Sequence, residues 1–221
     1  MLFFLLWICY IFSMKKTFLQ FNKAFTLAEV LITLVIVGVI AALTIPNIIY
    51  ETKKHEYSAR LKKFYSTMKQ VELKARVDGK SWDDWAMMQT KTSRGVDVVT
   101  EFQDEYLLPY LSYLKRETID TYQEIYLNDG SYFKNKKGDC IDFIYDVNGQ
   151  KMPNSSGRDI FVFVYCPMDS NWESKGKFSS YMETSFSRSY ALEKCRTASQ
   201  YCSALLMIDG WEFKSDYPHR L

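Results

Sequence analysis

The run from Ala24 to Pro46, AFTLAEVLITLVIVGVIAALTIP, is almost unbroken in apolar residues, follows a lysine-bearing stretch and carries one carboxylate, Glu29, near its start. A membrane-spanning helix needs about 17 to 25 such residues, so this segment fixes one element of the chain before any other is considered. An ionised side chain inside such a helix costs about 2.5 to 3.5 kcal/mol and is ordinarily kept for a partner or a function. The order of parts excludes an ordinary secretory signal, in which the basic and apolar stretches both precede a small-residue cleavage site. Here the small residue Ala24 precedes the apolar run. Cutting after Ala24 keeps the hydrophobic segment and leaves a free amine on Phe25, one helical turn before Glu29.

This arrangement resembles the type IV prepilin signature shared by type IV pilins and type II secretion pseudopilins. The resemblance covers Lys15 to about Pro46: Lys15, Lys16 and Lys23 in the leader, Ala24 before the cut, Phe25-Thr26-Leu27 after it, then Glu29, Gly38 and Pro46. Ala24 stands where that family mostly has glycine, another small residue. The resemblance implies that a prepilin peptidase removes the leader and methylates Phe25. It implies that Glu29 docks the subunit into a filament, and that Gly38 and Pro46 let the helix loosen during assembly. The partners it implies are other pilin or pseudopilin subunits, an inner-membrane assembly platform and membrane lipid. The implied location is the bacterial inner membrane, single-pass, with a cytoplasmic amino terminus and a periplasmic or extracellular carboxy-terminal domain. The physics of Glu29 agrees, because a carboxylate and an ammonium about 4 Å apart attract by roughly 4 kcal/mol at an effective dielectric of about 20. The amine of the same subunit and that of a neighbour both satisfy this. The competing reading makes Glu29 a helix-start carboxylate favoured by the macrodipole, worth about 0.3 to 1 kcal/mol.

Residues 1–13, MLFFLLWICYIFS, are apolar but too short to span a bilayer, whereas Met14 begins MKKTFLQFNKA, a short basic leader. Met14 is therefore the expected start and the first thirteen residues an upstream extension; a longer, discarded leader is the alternative. The domains expected are a leader over 1–24, the membrane half of the helix over 25–50 and a globular domain over 51–221.

The whole chain has 28 basic and 26 acidic residues, and residues 1–50 hold three lysines and one glutamate, so 51–221 carries 25 of each sign. A nucleic-acid binder carries a basic footprint, and none is expected to bind here. Lys53, Lys54, Arg60, Lys62 and Lys63 cluster beside the apolar run, suited either to anionic lipid and acidic neighbours or to a solvated helix face. Apart from Cys9 in the leader, the cysteines are Cys140, Cys166, Cys195 and Cys202, an even number that suits an oxidising compartment and allows three pairings. The expected pairs are Cys140 with Cys166, which bracket a hairpin, and Cys195 with Cys202 as a short loop closure. Four buried thiols are the alternative.

Tyr57, Leu61, Phe64, Met68, Val71 and Ala75 recur at three- and four-residue spacing and form an apolar stripe on a helix that continues from the membrane segment. From Phe25 to about Val77 that helix is roughly 80 Å long. Asp78-Gly79-Lys80 ends it, and Val98–Leu108 reads as a second helix stopped by Pro109. Strand signals follow from Thr121: Tyr122–Leu127 and Ser131–Phe133 around Asn128-Asp129-Gly130, then Cys140–Asp146 and Asp159–Cys166 joined by VNGQKMPNSSGR. Ser189–Arg196 reads as a short helix, and Ala204–Ile208 with Trp211–Phe213 as a last hairpin turning at Asp209-Gly210. The fold class is α+β and pilin-like, a long helix on a small antiparallel sheet.

Asp146, Asn148, Asn154 and Asp159 offer oxygen ligands of the kind calcium takes, while Asx residues beside Gly149, Pro153 and Gly157 are equally the residues of turns. No other cofactor is expected. His55 and His219 stand in no zinc-protease spacing and no glycine-rich phosphate loop occurs, so the chain does not read as an enzyme. The function expected is a structural filament subunit of a type II secretion pseudopilus or type IV pilus. The alternative is a membrane-anchored extracytoplasmic binding domain that uses the signal without polymerising.

Overall fold

The computed structural model describes residues 25–88, 96–119, 122–171, 175–181 and 186–221. Ala24, the leader lysines, Met14, Cys9 and Thr121 lie outside them. The fold divides into two units at Asn47 and Ile48.

The first element is helix α1, Leu27–Val77. In the first unit its apolar side chains are exposed, Leu34 to 63% and Leu43 to 76%. Among the described residues, α1 is the one helix long and apolar enough to cross a membrane. In the second unit α1 buries Tyr57, Leu61, Phe64, Met68, Val71 and Ala75, the stripe read from spacing, together with Glu72. Its end is chemical: Gly79, at φ 73°, takes the left-handed conformation that a side chain resists. Gly79 N–H then bonds Arg76 O and Lys80 N–H bonds Ala75 O, closing a Schellman motif.

Helix α2, Trp82–Met88, follows, capped by Ser81, whose hydroxyl accepts the amide of Asp83. Helix α3, Val96–Phe102, continues into a π-helical turn, Gln103–Leu107, and a 3-10 turn, Leu108–Tyr110. Pro109 therefore sits inside a helical turn rather than beyond it. The fixed φ of proline suits the first turn of a helix, where an amide is unpaired anyway.

Six antiparallel strands form a simple meander in chain order: β1 Lys115–Ile119, β2 Tyr122–Tyr126, β3 Tyr132–Lys137, β4 Ile141–Asp146, β5 Ile160–Tyr165 and β6 Phe178–Ser180. The β2–β3 turn is the Asn128-Asp129-Gly130 segment, with Gly130 at φ 82°. Alternation sends Ile125, Phe133, Phe143, Tyr145, Phe161 and Phe163 into the core with the buried stripe of α1. Phe64 stacks on Tyr145 at 4.0 Å between ring centroids and lies 5.3 Å from Phe163. Glu72 ties α1 to the far edge of the sheet: its buried carboxylate accepts the amide of Phe178 at 3.0 Å and the guanidinium of Arg76 at 2.6 Å.

The carboxy-terminal expectation fails. Helix α4, Arg188–Thr197, covers the helix expected over Ser189–Arg196 and is capped by Ser187, but Cys202–Ile208 is a helix, α5, and Trp211–Phe213 pairs with no strand among the described residues. A short run of consecutive apolar residues has no period that separates a strand from a helix buried on all sides. Cys202, Ser203, Ala204, Leu205 and Leu206 are all buried. Asp209-Gly210 is the helix end, not a hairpin: Gly210 N–H bonds Met207 O and Trp211 N–H bonds Leu206 O, a second Schellman motif.

Candidate functional site

The start of α1 carries the motif. Thr26 is its cap. Thr26 N–H and its hydroxyl both donate to Glu29 Oε2 at 3.0 Å, and the hydroxyl accepts the amide of Glu29 at 3.2 Å. This is a capping box, in which a threonine and a glutamate three residues on satisfy each other's backbone amides. Within one chain the Glu29 carboxylate thus bonds the start of its own helix. Phe25 precedes the helix and is 73% exposed.

Gly38 and Pro46 both lie inside the continuous α1. A Cβ added at Gly38 would meet nothing within 4 Å, so no contact among the described residues requires a glycine there. Pro46 brings no N–H to the carbonyl of Ala42, which weakens the ladder at that turn.

Residues 20–45 match the prokaryotic N-terminal methylation motif, the prepilin-type signal of type IV pilins and pseudopilins. Residues 47–221 match a family of unknown function, DUF6613. The chain belongs to this family. Among curated proteins and among solved structures no match is found. The DUF6613 domain here thus stands directly behind a prepilin-type segment, which supports a pilin-like or pseudopilin subunit.

Within the DUF6613 domain the basic cluster beside the apolar run is partly neutralised. Lys54 pairs with Glu51 at 3.0 Å, Arg60 with Glu56 at 2.8 Å and Lys63 with Asp129 at 2.9 Å, while Arg60 also donates to Val147 O. The structure thus favours a solvated and cross-linked helix face over a bare cationic patch.

The four candidate calcium ligands do come together. The β4–β5 loop folds around the carboxylate of Asp159, which accepts the amides of Asn154 at 2.9 Å and Ser155 at 2.6 Å and the Asn148 side-chain amide at 3.3 Å. Asp146 accepts the amide of Asn148 at 3.1 Å. Burial, opposed by that amide and reinforced by the charge of Asp159, pushes the Asp146 carboxyl up to about 7. The bonds to Asp159 are turn chemistry, while Asp146 Oδ2 and Asn148 Oδ1 in the same loop are buried with no hydrogen-bond partner among the described residues.

The cysteines are joined as Cys140–Cys166 and Cys195–Cys202. The first pair clips β4 to β5 on the face away from α1, beside Val164. Asp142 lies on the same face, and burial pushes its carboxyl up to about 6 against the attraction of Lys136. Because this folded value lies above the unfolded one of about 3.9, Asp142 stabilises the fold fully below about pH 4 and loses that contribution as pH rises through about 6. The unfolding free energy should fall by roughly 2 to 3 kcal/mol across that window. Thermal melts of the wild type and Asp142→Asn at several pH values measure it: the asparagine variant should flatten the slope, and equal slopes refute the assignment.

Proposed function

We propose that this chain is a filament subunit, cut by a prepilin peptidase after Ala24, methylated on Phe25 and assembled through α1 into a pseudopilus or pilus, with the domain after Ile48 exported. One observation carries this reading: the prepilin-type motif heads a helix whose large apolar side chains are exposed from Leu27 to Ile45. Lipid covers such a surface in the membrane. Outside lipid only like helices do so, and extraction is therefore coupled to packing against other subunits. The two disulfides suit an oxidising compartment.

The capping box favours a second reading, a membrane-anchored domain in which Glu29 only starts the helix. Two substitutions separate the two. Glu29→Gln retains the capping bonds to Thr26, since glutamine serves in the box as glutamate does, but removes the charge that attracts an ammonium. Glu29→Ala removes both. In cells expressing the assembly machinery, the filament reading expects both variants to be cleaved and neither to assemble, as read by the amount of the processed chain recovered in sheared, sedimentable filaments. If Glu29→Gln assembles like the wild type while Glu29→Ala does not, Glu29 is a cap and the docking role falls. A precursor bearing Ala24→Phe should remain uncut, because the peptidase must hold a small side chain beside the scissile bond; amino-terminal mass spectrometry reads the result.

A further inference from the structure

We propose that, before it is oxidised, the Cys195 and Cys202 pair forms with His219 a binding site for a thiophilic divalent cation such as zinc, and that metal and disulfide are alternative occupants of one position. Among the described residues this is the one cluster of three cysteine, histidine or carboxylate donors close enough to share an ion: one donor atom from each residue lies within 4.8 Å of the others. Cys195 and Cys202 are wholly buried. Two thiolates and an imidazole are a soft donor set of the kind zinc takes, with a fourth, tetrahedral position left for water.

The histidine is held in place by its surroundings. Nε2 of His219 stands 3.1 Å from the carbonyl oxygen of Cys195. A carbonyl only accepts, so Nε2 is the donor in this contact, and Nδ1 is the ring nitrogen left to offer a lone pair to a metal. Metal-bound imidazoles ordinarily give their other N–H to such an acceptor, which fixes tautomer and orientation. Gly157, at φ 80°, admits the ring, since a Cβ there would come 2.7 Å from His219 Cδ2. Tyr217 closes the arrangement by donating its hydroxyl to Gly157 O at 2.6 Å while its ring lies 6.0 Å from that of His219. Among the described residues no such donor group includes the other cysteine pair, whose apolar packing partners are Val164 and Tyr181.

The chemistry balances. The chain leaves synthesis with free thiols; the cation binds the two thiolates and two protons pass to solvent, so apparent affinity rises with pH. A protein disulfide oxidant then exchanges with the pair. Its own S–S bond breaks and takes two electrons and two protons, the Cys195–Cys202 bond forms, and the cation is released. In the interval the metal holds the carboxy-terminal segment against α4 and α5, the position the disulfide later makes permanent.

The test uses the full chain in detergent, reduced with a phosphine and titrated anaerobically with cobalt(II), then with zinc(II) as competitor. The expected result is one cobalt per chain with a thiolate-to-metal absorption and the visible bands of a tetrahedral ion, none of it in the oxidised protein. Cys195→Ser/Cys202→Ser, which keeps Cys140–Cys166, should abolish the signal, and Cys140→Ser/Cys166→Ser should keep it. His219→Gln should weaken affinity at least about tenfold. Circular dichroism of each variant verifies the fold, and cobalt affinity of folded His219→Gln decides the case should a serine variant misfold. Unchanged affinity in His219→Gln, or a signal that follows Cys140 and Cys166 instead, overturns the proposal.

Discussion

Phe64→Ala should cost about 3 to 5 kcal/mol of unfolding free energy, a large part of the roughly 5 to 15 kcal/mol that a domain possesses. Phe64 is 2% exposed and lies where α1 crosses the centre of the sheet. Its ring stacks on Tyr145 at 4.0 Å, tilts against Phe133 at 5.5 Å and Phe163 at 5.3 Å, and meets Phe178 edge-on at 6.2 Å. Truncation removes one side of all four contacts. The surrounding rings come from three different strands and β6, so they cannot collapse together into the space, and the cavity term adds to the lost transfer energy. For a domain of this size each kcal/mol moves the melting temperature by about 2 to 4 °C, so a fall on the order of 10 °C is expected. Membrane insertion should be unaffected, because the apolar run before Ile48 is untouched. A shift of only a degree or two would mean that the stripe of α1 does not bear on the sheet as described.

The second large effect concerns the clip between β4 and β5. Cys140 and Cys166 are separated by 26 residues and Cys195 and Cys202 by 7. In the chain-entropy account a cross-link stabilises by restricting the unfolded ensemble, and longer loops gain more: about 3 to 4 kcal/mol for the first pair and about 2 to 3 for the second. Cys140→Ala/Cys166→Ala should therefore unfold at markedly lower denaturant than the wild type and lower than Cys195→Ala/Cys202→Ala. Equilibrium unfolding of both variants in parallel gives the order. The reverse order would show that enthalpy of the buried α4–α5 pair outweighs loop length.

Both effects bear on the proposed role. Were the chain drawn out of the membrane by α1 as proposed, the pull would reach its domain through the face of that helix that Phe64 and Glu72 occupy. The amide of Phe178 and the guanidinium of Arg76 on Glu72 extend the attachment from the centre of the sheet to its β6 edge. The Cys140–Cys166 clip then joins the strands on which that attachment rests.

Some of this was legible in the residues themselves. The stripe from Tyr57 to Ala75 follows a helical period over five turns, and a pattern that long has one structural solution. The same holds for Asn128-Asp129-Gly130 between alternating strands, and for Gly79 as the end of α1, because only a glycine takes the left-handed φ there without strain. The prepilin-type segment was legible because its chemistry is local: a small residue, an amine and a carboxylate at fixed spacing in apolar sequence. Other features depended on contacts distant in sequence. Strand β1, Lys115–Ile119, is polar and reads as loop until β2 supplies its partner. Strand β6 has three residues and exists because β5 lies beside it. Cys202–Ile208 has no period to read, because a short apolar run looks the same whether a buried helix or a buried strand takes it up. Glu72 carries no local signal of burial, and its contact with the amide of Phe178 comes from a strand distant in sequence. His219 shows the same limit, since nothing in its position near the end of the chain announces Cys195 and Cys202 as neighbours. The sequence by itself determined the elements whose signal repeats along the chain or is closed within a few residues; the tertiary structure decided those whose hydrogen bonds and burial come from residues far away, because a local pattern carries no information about a partner it does not touch.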